Sequence, residues 1–372
     1  MAINMLKQYK LRNYKFILII FVVTLSTLGV FLVGSAKPSL MNKQLLGMMV
    51  GIVLMVAVSL IDYNFIMKFS WLIYLFTVGI LLAVIAFGDD AGGAQRWIDL
   101  KFMRFQPSEL TKVLLILFFA YYFMKHEEKI NTFKILVSSF ILVGIPMALI
   151  MLQPDLSTTI VTALIFVALL FVAGLSYKII ISVLAIAVPA FVILFTLLIQ
   201  DKLPFIRPYQ VTRVMAWLYP EDYPNEAYQQ QNSIMAIGSG QLWGKGLNNT
   251  DVTSVKNGKF ILEPQTDFIF AVAGEELGFL GTSIIILLLL LITIECIFIA
   301  RKAKDTAGKL ICCGVAALVG FQSMINIAVA SGLLPNTGLP LPFVSYGLTS
   351  LWSLYIGIGL VLNVGLQPKK YY

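Results

Sequence analysis

The segment Glu263-Pro264-Gln265-Thr266-Asp267-Phe268-Ile269-Phe270 places a carboxylate at the lip of a long apolar run, directly after a long polar stretch. A charge at that depth is costly unless it is paired or used, so an ionisable residue there points to function. The competing reading is a helix N-cap, in which Asp267, or Thr266 before it, accepts from the first free amides of the helix. The segment alone leaves the two readings balanced.

Cationic residues stand around it in sequence. Arg207 and Arg213 open the polar stretch, Lys245 sits between Gly244 and Gly246, and Arg96 and Arg104 lie in an earlier polar segment. Guanidinium forks match phosphate oxygens bidentately. Such a set beside one carboxylate suits a sugar diphosphate, with cations on the leaving group and a base on the attacking hydroxyl. The same arginines could instead pair with Asp99, Glu221 or Asp222, or snorkel to lipid headgroups, and charge pattern alone leans that way.

Three more ionisable residues lie in apolar surroundings. Glu109 and Lys112 are three apart near the start of an apolar run, so they share a helix face and can neutralise each other. They read as a structural or gating ion pair rather than as catalysts. Asp155, after Pro154, opens another apolar run and reads first as a cap. A partner to Lys112 or to a substrate hydroxyl is the alternative for it. The Pro-rich run from Leu334 to Phe343, leading into Val344-Ser345-Tyr346-Gly347, forbids continuous helix and reads as a re-entrant or interfacial loop. It reads as architectural, although the Ser345 and Tyr346 hydroxyls could face a polar cavity.

The elements that must hold these residues are membrane helices. The chain has 372 residues, 59% of them hydrophobic and 12% charged, with a mean hydropathy of +0.88. A soluble chain carries about twice that charge. Runs able to span a bilayer fall at about 16–34, 44–61, 66–87, 108–124, 134–152, 156–174, 178–200, 267–300, 309–332 and 344–366, ten in all. The fold expected is an all-α integral membrane protein of one polytopic domain, residues 1–372, with a large loop at about 201–266 between the seventh and eighth spans. Short interfacial helices are expected there near 209–219 and 228–237. The basic start leads into an apolar run with no convincing cleavage site, so the first helix is expected to stay as a signal anchor.

Lys and Arg set the orientation. With the N-terminus inside, the inner segments hold clusters such as Lys7, Lys10, Arg12 and Lys15, or Arg301, Lys302 and Lys304, and the short outer loops hold few. The positive-inside rule then puts both termini in the cytoplasm. All but Asp62, Glu127, Glu128, Glu295 and Asp305 of the 19 acidic residues fall on the outer side. The net charge of +8 arises largely from residues flanking helices and does not suggest nucleic acid.

The exclusions narrow the chemistry. The single histidine, His126, falls on the inner side, and no phosphate loop followed by Lys-Ser/Thr is present. An outer-face reaction would therefore run on energy stored in its substrate, with a carboxylate as the available base. Cys296, Cys312 and Cys313 have no metal-ligand spacing and read as small buried hydrophobes.

Taken in order along the chain, the motifs resemble the SEDS family of peptidoglycan polymerases, whose members include RodA, FtsW and SpoVE. The matching stretches are Gly93-Ala94-Gln95-Arg96-Trp97-Ile98, Phe105-Gln106-Pro107-Ser108-Glu109-Leu110-Thr111-Lys112, Gln153-Pro154-Asp155-Leu156, Arg207-Pro208-Tyr209-Gln210, Ala236-Ile237-Gly238-Ser239-Gly240, Gly244-Lys245-Gly246, the segment around Asp267, Gly274-Glu275-Glu276-Leu277-Gly278, and Leu341-Pro342-Phe343-Val344-Ser345-Tyr346-Gly347. The resemblance implies ten transmembrane helices and inverting glycosyl transfer on the outer face of the bacterial cytoplasmic membrane. The 4-hydroxyl of lipid II would attack the anomeric carbon of the glycan carried on undecaprenyl diphosphate. It implies Asp267 as the catalytic aspartate, Glu109 and Lys112 as an intramembrane pair, and Asp155 as the aspartate of a Pro-Asp motif. It also implies a separate class B penicillin-binding protein as cross-linking partner, among other elongation or division proteins.

The chain departs from the family pattern at Gln265, where His is common, at Ser157, where Gly is usual, and at Leu348-Thr349, where Gly-Ser is usual. None of these replaces Asp267, Glu109 or Lys112. The short N-terminus and the lack of a long basic C-terminal tail favour a RodA-like elongation role. A divalent cation such as Mg2+ or Mn2+ could bridge Asp267 and the diphosphate. No dedicated metal-ligand cluster is visible, and no nucleotide is called for. A lipid II flippase and a non-catalytic scaffold of a synthase complex are the competing functions. A flippase should need polar groups through the inner half, which is nearly bare apart from Glu295.

Overall fold

The computed structural model describes residues 13–91, 94–99, 104–200, 208–248, 254, 258 and 260–367. Its helices are α1 (Phe16–Ala36), α2 (Pro38–Ser59), α3 (Tyr63–Met67), α4 (Ser70–Phe87), α5 (Pro107–Lys125), α6 (Phe133–Leu152), α7 (Leu156–Val172), α8 (Tyr177–Ile199), α9 (Pro208–Leu218), α10 (Pro224–Ser239), α11 (Ile269–Arg301), α12 (Thr306–Ala330) and α13 (Leu348–Leu366). Among the described residues nine of these are long and apolar enough to cross a membrane, and α7, at 17 residues, is apolar but shorter. Large side chains such as Phe31, Val53, Leu72, Phe76, Leu287 and Phe298 face outward, as lipid-facing surfaces require. Most of α5 and α13 is buried instead, so these helices form the centre of the bundle.

Three boundaries differ from the sequence expectation. The polar stretch between the first two spans is nearly absent, because α2 starts at Pro38 and includes Lys43. Pro38 takes the first helical turn, where its missing N–H costs nothing. The expected 88–107 loop contains a small antiparallel sheet of β1 (Asp89–Ala91), β2 (Ala94–Asp99) and β3 (Arg104–Phe105), in the order β1-β2-β3. Asp89 pairs with Trp97, and Ile98 with Phe105. The two interfacial helices both form, and α10 starts earlier than expected because Pro224 opens it and Glu226 lies in its first turn.

The long α11 is broken at Gly278, whose φ of 64° and ψ of −164° are open to glycine alone. The backbone groups this break frees are taken up by the loop after α10. Lys245 N donates to Glu275 O and Gly246 N to Glu276 O, each at 2.9 Å. Phe279 N donates to Gln241 O at 2.8 Å and Leu280 N to Leu242 O at 3.2 Å. Non-helical backbone near membrane depth survives only with such partners. A Cβ on Gly278 would lie 2.3 Å from Gly244 N.

Helices α9 and α10 also cap the end of α12. Gln230 Nε2 donates to Val329 O (2.8 Å) and Leu334 O (2.7 Å), Ser233 Oγ to Ala330 O (2.7 Å), and Trp217 Nε1 to Gly332 O (2.8 Å). Helices α9 and α10 are thereby fixed to the end of the bundle from which the Pro-rich loop emerges. Gly278→Ala should destabilise the protein by about 2–3 kcal/mol through positive-φ strain and the Gly244 clash. Thermal unfolding in detergent checks this, and an unchanged midpoint would show that the break is not required.

Candidate active site

Asp267 lies in the turn before α11, and the helix cap position belongs to Phe268, with no side-chain cap bond. Thr266 Oγ1 donates to Glu263 O instead (2.9 Å). The N-cap reading of Asp267 is therefore not realised. Its carbonyl accepts from Asn326 Nδ2 at 2.8 Å. Among the described residues no hydrogen bond reaches its carboxylate, which lines a cavity of about 240 Å³.

That cavity brings distant parts of the chain together. Arg96 and Trp97 come from β2, Glu109 from α5, Asp155 and Thr158 from the start of α7, Arg213 from α9, and Thr337 to Pro340 and Tyr346 from the Pro-rich loop. Arg96 is anchored as it lines the wall, with Nε donating to Gln153 O (3.0 Å) and a second nitrogen to Pro154 O. Arg213 donates to Asn336 O at 3.4 Å. Burial pushes the Asp267 carboxyl up, to about 6; the guanidinium of Arg213 opposes this, Glu263 adds to it, Arg96 opposes it and Asp155 adds to it.

Asp155 caps α7 and faces the cavity at once. Its Oδ1 accepts from Thr158 N (3.1 Å), and its Oδ2 from Thr158 Oγ1 (2.8 Å), Gln106 Nε2 (3.2 Å) and Ser108 Oγ (3.4 Å). Below the cavity Lys112 donates to Glu109 Oε1 and to Gln322 Oε1, both at 2.7 Å. Its partner is therefore Glu109, not Asp155. Gln322 Nε2 donates on to Pro340 O (3.0 Å), and Asn326 Nδ2 also holds Leu339 O (2.6 Å). The Pro-rich loop is held from the other side as well, because Ser345 Oγ donates to Thr266 O (2.6 Å) and Tyr346 N to Gln265 O (2.8 Å).

Two of the sequence candidates stand apart. Lys245 does not line the cavity; it pairs with Glu275 at 2.8 Å beside the break in α11. Arg207 lies outside the described residues, as does Gly93 of the first motif. Sequence reasoning overlooked Gln322 and Asn326, two amides four residues apart on α12 and 0% and 1% exposed. Their one available signal was that spacing within an apolar helix, where polar side chains are rarely idle.

The chain also matches the FtsW/RodA/SpoVE model, described as a cell cycle protein, over residues 8–370. It belongs to the FtsW/RodA/SpoVE family. Among family relatives, the peptidoglycan glycosyltransferase MrdB of Escherichia coli K12 is 35% identical over 92% of this chain and 90% of its own. The probable peptidoglycan glycosyltransferase FtsW of Geobacter sp. strain M18 is 32% identical over 97% of this chain and 99% of its own. A solved chain from work on coordinated polymerisation and crosslinking by a peptidoglycan synthase complex superposes with a TM-score of 0.79 at 28% identity, covering 95% of this chain and 97% of that one. RodA of Thermus thermophilus superposes with a TM-score of 0.67 at 25% identity, covering 95% and 96%. These family members share the all-α membrane architecture, and the chain is a multi-pass membrane protein.

The ion pair makes a prediction of its own. Lys112→Met leaves the buried Glu109 carboxylate without its cation and should cost about 3–5 kcal/mol. Glu109→Gln combined with Lys112→Met should recover most of that loss in thermal unfolding. Equal losses in the single and double variants would show that the pairing is not what holds Glu109.

Proposed function

We propose that the chain is a peptidoglycan glycosyltransferase that polymerises lipid II by a single inverting displacement on the outer face of the cytoplasmic membrane, with Asp267 as general base. One observation carries this reading. A half-buried carboxylate, unbonded among the described residues, shares a cavity with two guanidinium groups beside a long outer segment. The names of the relatives, including MrdB and FtsW, support the reaction class.

In this mechanism Asp267 takes the proton of the acceptor's 4-hydroxyl as that oxygen bonds to the donor's anomeric carbon. The bond from that carbon to the diphosphate breaks, and its electron pair leaves with undecaprenyl diphosphate. No covalent enzyme intermediate is needed. A carboxyl raised to about 6 is a stronger base than an ordinary aspartate and is still ionised at neutral pH. Arg213 and Arg96, which line the same cavity as Asp267, receive the charge that develops on the diphosphate. Glu109 and Lys112 support the cavity floor and stay outside the bond-making steps.

A divalent cation could assist. Mg2+ is commonly held through one or two carboxylates plus substrate phosphates, and Asp267 and Glu263 line one cavity, so the residues fit it. Such a cation would supply charge neutralisation to the diphosphate. With α7 counted as a tenth crossing, both termini lie on the cytoplasmic side, as the distribution of Lys and Arg favours. Cross-linking falls to a separate transpeptidase of the class B penicillin-binding type, in line with the synthase complex to which the chain is similar. An elongation or division role fits the family equally.

Asp267→Asn keeps the shape of the side chain and removes the base. Purified with a transpeptidase partner whose own active site is dead, the wild type should convert lipid II to glycan strands. The variant, with an unchanged melting midpoint, should lose at least about 100-fold of that rate. Normal polymerisation by the variant would refute the base assignment. Transfer of lipid II across vesicles by both proteins, with no glycan formed, would make the chain a transporter.

A further inference from the structure

A second cleft lies at the opposite end of the bundle from Asp267. Helix α5 leads from the active-site cavity at Glu109 to Lys125, and its 19 residues span about 28 Å. Where it ends, the start of α4 and the start of α6 close a cleft of about 510 Å³ with it. The rim carries Lys125, His126 and Lys134. The walls below are aromatic, from Trp71, Tyr121 and Tyr122.

The rest of the cleft is built as a membrane-facing groove. Tyr122 Oη and Ser138 Oγ are bonded at 2.6 Å, which ties α5 to α6 across the floor. His126 Nδ1 donates to Tyr122 O (2.8 Å), which fixes the ring beside the end of α5. Beyond them Ile141 is 58% exposed and Trp71 51% exposed, so the groove runs out onto the lipid-facing surface. Among the described residues no carboxylate lines it. The nearby Glu127 accepts from Thr306 Oγ1 at 2.9 Å. The N-terminus of α6 has no side-chain cap, so its first amides add positive character where Lys134 stands.

We propose that this cleft binds an anionic glycerophospholipid, with its phosphate at Lys125 and Lys134 and an acyl chain along Ile141. The arrangement is more than a flanking charge cluster. Two lysines and a histidine converge on one mouth, an aromatic layer stands at headgroup depth, and an apolar wall continues into the hydrocarbon, in the order a phospholipid presents its own parts. Basic pockets between transmembrane helices on the inner side take anionic headgroups for this reason. A zwitterionic lipid brings a compensating ammonium to the same mouth and gains less. The site is remote from Asp267, so it neither requires nor tests the polymerase mechanism.

The test titrates the full-length protein in neutral detergent with phosphatidylglycerol, phosphatidylcholine or glycerol phosphate, reading thermal unfolding and lipid adducts by native mass spectrometry. Phosphatidylglycerol should stabilise the wild type and remain bound, while the other two should do neither. Lys125→Gln with Lys134→Gln should weaken phosphatidylglycerol binding about 30-fold, from two headgroup-facing lysines. Both lysines are exposed, so the variant should melt like the wild type without lipid. A charge-matched control, Lys178→Gln with Lys309→Gln, should bind like the wild type. The proposal is overturned if the first variant keeps wild-type affinity, if the control loses as much, if phosphatidylcholine binds equally well, or if glycerol phosphate alone reproduces the effect.

Discussion

The structure depends on satisfying one buried lysine. Lys112 is 1% exposed at the heart of the bundle, and a buried amine there needs acceptors in place. Glu109 supplies the countercharge from one turn earlier on the same helix. Gln322 supplies the second acceptor from α12, and its own amide then reaches Pro340. The need to satisfy Lys112 therefore links two helices to the Pro-rich loop. That loop in turn meets the segment before α11 through Ser345 and Tyr346. The position of Asp267 is the end of this chain of obligations.

The same economy explains why Asp267 is chemically different from the other carboxylates of the site. Asp155 lines the same cavity, but its carboxylate accepts from Thr158, Gln106 and Ser108 and is taken up in holding the start of α7. Asp267 has no such donors on its carboxylate among the described residues, and burial raises it. Two aspartates in one cavity are thus given different tasks by their surroundings. One holds a helix start and the other is left free to exchange a proton.

Much of this was legible in the sequence. Nine of the ten expected spans followed from apolar length, α7 being apolar but shorter, and Glu109 with Lys112 from a spacing of three on a helix. Asp267 stood out by its depth, although the competing N-cap reading could be dismissed only once Phe268 was seen in that position. Lys245 illustrates the opposite case. A lysine between two glycines reads as a phosphate contact, yet those glycines serve a break in α11, where Lys245 meets Glu275. Gln322 and Asn326 were invisible because an amide in an apolar helix declares neither its partner nor its depth. Their roles depend on which loop carbonyls come to face them, and that is set by tertiary packing. The small β1-β2-β3 sheet was overlooked because β1 and β3 have only three and two residues and β2, Ala94–Asp99, does not alternate apolar and polar side chains.

The central claim is that a carboxyl raised by burial acts as the base, and the pH dependence of lipid II polymerisation tests it most directly. The value of kcat/KM reports ionisations of the free enzyme, and its logarithm should rise with pH at unit slope, then level off above about 6. The Arg213 guanidinium holds the Asp267 carboxyl down, so Arg213→Gln should move that inflection to higher pH as well as slow the reaction. A profile that is flat from pH 5 to 8, or an inflection that Arg213→Gln leaves in place, would contradict the account.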